Sequence, residues 1–167
     1  MLGGTTRTLQ SMSTKLEEIL AQEDGRAFGG IGLALLRKSE RLGDSALSEP
    51  ERHFYAIFGL DMDVNNGGFY SYFTNTTGKG AADALSGLPQ IGASHVQSIL
   101  QRACAVFPGG VVPKSQGDRE IFLGPTSRFK SVFDPLDREY YESDERLIAL
   151  ALAYARAHST EFRLEGF

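Results

Sequence analysis

The sequence holds one cysteine, Cys104, three histidines and no run of about 20 apolar residues. A single cysteine excludes an internal disulfide and agrees with a reducing compartment. Without an apolar run there is no membrane-spanning helix, and the opening residues MLGGTTRTLQSMSTK lack the apolar core of a signal peptide. These absences place the protein in the cytoplasm, away from membranes. His53, His95 and His158 fall on three separate predicted helices without a partner four residues away, so no zinc helix is present. The glycines form neither G-x-G-x-x-G nor a phosphate loop, which leaves nucleotide binding unsupported. A formal charge of −4 argues against direct contact with nucleic acid. No stretch alternates with a period of two and β-branched enrichment, so strands beyond a short pair are not expected.

What is present is an ordinary globular composition, 41% hydrophobic and 23% charged over 167 residues. That length suits one domain spanning residues 1–167, and helical periodicity predicts an all-α bundle of about six to eight helices. The first covers residues 8–21, with Leu9, Met12, Leu16, Ile19 and Leu20 approximating one face. A second, FGGIGLALLRKSERL, carries Gly29, Gly30 and Gly32, which weaken its first turn, and ends on Arg37, Lys38 and Arg41 as solvated charges. The third runs over 49–64: Ser48 with Glu51 forms a capping box and Pro50 stands in the first turn. Further helices are expected over 79–88, 94–107, 118–123 and 144–158. In the 94–107 helix, Ser94 and Gln97 read as a capping box and Cys104 as a small buried filler. Asp144 and Glu145 suit the N-terminus of the last helix.

The densest chemistry lies in residues 61–78, DMDVNNGGFYSYFTNTTG. Asp61 shares a helix face with Phe54, Ile57, Phe58 and Val64, an awkward place for a carboxylate unless it finds donors. The nearest donors belong to the turn that Asn65, Asn66, Gly67 and Gly68 impose before Phe69. We therefore expect Asp61, with Asp63, to accept backbone N–H groups of the 65–69 turn, and FYSYF to continue as a short helix with its rings in the core. Asp61-x-Asp63-x-Asn65 opens like a calcium loop, but Asn66 and Tyr72 replace the glycine and the bidentate glutamate that such a loop needs. Asn75-Thr76-Thr77 matches a glycosylation acceptor and, without a secretion signal, reads as a polar loop.

Charge is unevenly spread. Asp134, Asp137, Glu139, Glu142, Asp144 and Glu145 face one base, Arg138, so residues 134–145 carry a net −5 against −4 for the whole chain, leaving +1 elsewhere. These six acids are the candidate protein-binding residues.

Asp63-Val64-Asn65-Asn66-Gly67-Gly68-Phe69, then Tyr72-Phe73, Asn75, Gly78, Ile91-Gly92-Ala93, Phe133, Leu136-Asp137 and Tyr140-Tyr141, resemble the bacterial DNA-mimic protein family, a domain otherwise of unknown function. The resemblance covers about residues 47–162. Ser71 stands where a glutamine is usual, and Thr76-Thr77 replaces a serine pair. The resemblance implies an all-helical, often dimeric protein whose acidic side chains, spaced like DNA phosphates, occupy the DNA-binding face of a regulator. Read this way, Asp61, Asp63, Asn65, Asn66, Gly67, Gly68 and Phe69 are a structural motif. The chain then works without cofactor, metal or catalytic residues, binding another protein such as a basic nucleic-acid-binding one. Two other readings remain: an immunity protein that blocks a toxin or nuclease by the same complementarity, and an enzyme in which Asp61, Asp63, His53 and Tyr70 converge at the 61–73 junction.

Overall fold

The computed structural model describes residues 14–167, which form eight α-helices and no strand. No helix among them is long and apolar enough to cross a membrane. The helices are α1 (Lys15–Leu20), α2 (Asp24–Leu42), α3 (Glu49–Thr74), α4 (Ala81–Gln90), α5 (Ser94–Cys104), α6 (Gln116–Leu123), α7 (Lys130–Tyr141) and α8 (Leu147–Ala157). Of the expected first helix, residues 8–13, with Leu9 and Met12, lie outside the described residues. Its remainder starts on a capping box between Thr14 and Glu17 and buries Leu16 and Ile19.

The third helix is the hub: α3 packs against α2, α4, α6, α7 and α8. The Ser48–Glu51 capping box forms as expected, with Pro50 in the first turn. The helix does not stop at Val64. It bends at Gly67–Gly68 and resumes through Phe69–Thr74, burying Phe69, Tyr72 and Phe73 completely. Phe73 packs on Phe107 and Phe133 at ring separations of 5.1 and 5.8 Å. At the other end Phe54 meets Phe28 at 5.3 Å and Phe162 at 5.9 Å. One aromatic core therefore follows α3 along its length.

Two buried cations hold the ends of this hub. Arg119, fully buried on α6, donates to the carbonyls of Phe73, Asn75, Pro113 and Lys114 at 2.7–2.8 Å. It thereby satisfies acceptors that the end of α3 leaves unpaired. Lys38 corrects the expectation of a solvated charge: it is 5% exposed and donates to both oxygens of the fully buried Glu51, at 2.8 and 2.7 Å. Glu51 also accepts the N–H groups of Ser48 and Arg163, and Lys38 donates to the Arg163 carbonyl. The C-terminal segment is clamped there, with Phe162 and Leu164 buried on either side.

Three further expectations change. Gly32 in α2 permits close approach, since a Cβ there would strike the Phe58 ring. The Ser94–Gln97 capping box does not form. Ala93 precedes α5 without a side-chain cap, and the carboxylate of Glu145 accepts the N–H groups of His95 and Val96 at 2.9 and 2.8 Å. The last helix accordingly begins at Leu147, after Asp144 and Glu145. Helix α7 carries Pro135 in its interior, which hides it from the sequence pattern.

Candidate functional site

At the elbow, Gly67 and Gly68 leave the helical conformation, and Gly68 takes φ 73°, ψ −174°, a region kept for glycine. Such a bend frees the carbonyls before it and the N–H groups after it. Both are taken up by α7. The Tyr141 hydroxyl donates to the Val64 carbonyl at 2.7 Å. One turn earlier on α7, Asp137 accepts the Phe69 N–H at 2.8 Å. This corrects the expected acceptor, since neither Asp61 nor Asp63 takes a backbone N–H of the 65–69 turn. Asp61 instead accepts the Tyr140 hydroxyl at 2.8 Å and the Asn65 side-chain amide at 3.0 Å. Asp63 accepts from Asn75 at 2.8 Å and from the Thr77 hydroxyl. Asn66 and Gly67 are exposed, whereas Gly68 and Phe69 are buried. The Asn75 carboxamide is thus part of the fold, tying the end of α3 back to Asp63.

The six acids of the 134–145 stretch divide by partner. Asp137 faces the elbow. Glu145 caps α5. Glu139 forms a two-pronged pair with Arg102 at 2.9 and 2.6 Å, which holds its carboxyl below the usual range, and stands 3.7 Å from His95. Asp134 pairs with Lys130 one turn away at 2.6 Å. Glu142 and Asp144 are exposed, and among the described residues their carboxylates have no hydrogen bond or ion pair. The structure thus gathers the acids on α7 and the α7–α8 connection, with four of them engaged inside the chain and two free.

A family model for DMP19-like protein matches residues 45–158. The chain belongs to the DMP19-like protein family. No curated protein and no solved structure matches it. The DMP19-like region runs from the connection after α2 to the end of α8, and so contains the whole elbow, α7 and the acidic stretch. The helices α1 and α2 and the clamped segment around Arg163 lie outside it.

Residues considered for chemistry disperse within this DMP19-like frame. His53 is buried and bonds through Nδ1 to the Tyr154 hydroxyl at 3.1 Å, and burial lowers its pKa. Tyr70 donates to the Gly124 carbonyl. With Asp61 on Tyr140 and Asp63 on Asn75 and Thr77, the four side chains each answer to a different part of the molecule. Burial pushes the Cys104 thiol up to about 12, far from a nucleophile's range. No group of three or more His, Cys, Asp or Glu that could hold a metal occurs among the described residues.

The elbow residues missed from sequence are Tyr140 and Tyr141, together with the role of Asp137. A signal for them existed: an acid followed three and four places on by two hydroxyl-bearing rings lies on one helix face.

Burial raises the pKa of Asp61, the Tyr140 and Asn65 hydrogen bonds opposing it; burial does the same to Asp137 against the Phe69 N–H. A carboxyl raised on folding favours the protonated native state. That stability is fully present below the unfolded pKa of about 3.9 and lost as pH rises through the folded value. Asp61→Asn, which keeps an acceptor for Tyr140 without a charge, is therefore expected to melt above the wild type at pH 7. The gap should close below about pH 4. Asp61→Ala leaves the Tyr140 hydroxyl without its acceptor and should cost about 1–3 kcal/mol at either pH. Melting curves of the three proteins at the two pH values check this; an Asn variant less stable at pH 7 than at pH 3.5, relative to wild type, contradicts it.

Proposed function

We propose that this DMP19-like chain is a protein-binding module whose acidic edge, built by α7 and the α7–α8 connection, occupies the nucleic-acid-binding face of a basic protein. One observation carries the reading: residues 134–145 hold a net −5 in a chain that is otherwise +1, and among the described residues Glu142 and Asp144 stand there with no partner of their own. Free, exposed carboxylates at the end of α7 and in the connection after it offer a phosphate-binding surface the charge it is built to receive. Asp134 and Glu139 flank them in solvent-exposed ion pairs, which water screens and a partner's arginines can exchange. Asp137 and Glu145 contribute by holding the edge in place.

The test is competition. Immobilised chain is expected to retain a basic DNA-binding protein from the native cell at low salt and to release it both at raised salt and on addition of duplex DNA. The Glu142→Lys/Asp144→Lys variant, which keeps every internal contact named above, should lose the partner. Retention that neither duplex DNA nor the charge reversal disturbs would overturn the reading, as would the lack of any salt-sensitive partner.

A further inference from the structure

Away from the elbow, a cavity of about 730 Å³ opens between the C-terminal part of α2, the 3-10 turn Asp44–Ala46, the first turns of α3 and the 3-10 turn Thr76–Gly80. Its size falls within the range of small-molecule sites, about 300–1,000 Å³. Its lining is amphipathic. Leu36, Leu47, Tyr55 and Ala56 supply the apolar part, and Lys79 and Lys114 supply ammonium groups.

Those two cations are arranged around one carboxylate. Lys79 contacts Asp44 at 2.7 Å, and Lys114, whose ammonium donates to the Lys79 carbonyl at 3.1 Å, adds its field to the same group. The hydrogen bond from Lys79, then that from Ser39, holds the Asp44 carboxyl below its usual range. Asp44 itself is lightly held. Its turn buries no residue and is entered through Gly43 at φ 87°, and the Lys79 pair is half exposed. Such a pair contributes little to stability and can be exchanged. The turn therefore places a carboxylate of the chain where an outside anion fits, at the edge of an apolar floor.

We propose that this cavity binds a small amphipathic carboxylate whose apolar body lies on Leu47, Tyr55 and Ala56 and whose carboxylate replaces Asp44 between Lys79 and Lys114. A single negative charge is specified because, with Asp44 displaced, the charged lining is Arg52, Lys79 and Lys114 against Glu40 and Asp83, a balance of +1 that one carboxylate meets and a doubly charged phosphate exceeds. The site is separate from the acidic edge and independent of the protein-binding role.

The probe is 4-phenylbutyrate, with the neutral 4-phenylbutanol as matched control, titrated into the full chain and followed by calorimetry and amide chemical shifts. Saturable binding is expected, with shifts concentrated at Gly43–Ala46 and Lys79–Gly80 and no comparable response to the alcohol. Lys79→Gln/Lys114→Gln should weaken it about tenfold or more, since charge-assisted hydrogen bonds are lost. Asp44→Asn, which removes the internal competitor, should tighten it by up to about fivefold. All three positions are at least partly exposed, and unchanged melting curves will show that the variants fold. Equal affinity for the alcohol, indifference to the lysine substitutions, weaker binding to the Asp44 variant, or no saturable binding would each overturn the site.

Discussion

Gly68→Ala is expected to lower the melting temperature by about 10 °C. Two costs combine. The backbone at φ 73°, ψ −174° lies in a region that only glycine occupies at low energy, a penalty of about 1–3 kcal/mol for any other residue. A Cβ there would also overlap the Asp137 carboxylate, the group that receives the Phe69 N–H. Relieving the overlap pushes Asp137 away and leaves that N–H half-buried without an acceptor. Together these bring the loss to roughly 3–5 kcal/mol, at about 2–4 °C per kcal/mol in a chain of this size. Gly29→Ala in α2 is the control: a Cβ there meets nothing within 4 Å, and the change should stabilise by up to about 1 kcal/mol. A Gly68 variant melting within about 2 °C of wild type would mean that the bend can be made another way.

Lys38→Met should be nearly as damaging, for an electrostatic reason. Glu51 is fully buried, and Lys38 is its only ion-pair partner among the described residues. Removing that partner strands a charge in the core, typically at a cost of about 3–5 kcal/mol. The loss should be local as well as global. The Arg163 carbonyl loses its donor, so amide exchange from Phe162 to Leu164 should accelerate ahead of the rest of the chain. Lys38→Met/Glu51→Gln removes the stranded charge and should recover part of the loss. A single variant within about 1 kcal/mol of wild type, or a double variant worse than it, would show that the pair does not clamp the C-terminus.

How far the sequence spoke depended on how local each cause was. The start of α3 was legible to the residue, because a capping box and a first-turn proline act within four positions. The all-helical class followed from periodicity, and the family from the block around Asn65 to Phe69, as the match over residues 45–158 bears out. The bend at Gly67–Gly68 was legible too, but its partners were not. Asp61 was the nearest acid in sequence, whereas the acid that arrives in space is Asp137, 68 residues away. Lys38 looked like one of three solvated charges at a helix end until Glu51 was found beside it, 13 residues on. Glu145 resembled a local cap for α8 and serves α5 instead.

The sequence by itself determined the all-helical class, the start of α3, the position of the elbow and the excess of negative charge in residues 134–145, since each depends on neighbours along the chain or on composition. Only the tertiary structure decided which of those charges stay free. A carboxylate's role is set by the donor that packing brings to it, so Asp137 and Glu145 became struts of the fold while Glu142 and Asp144 were left facing outward.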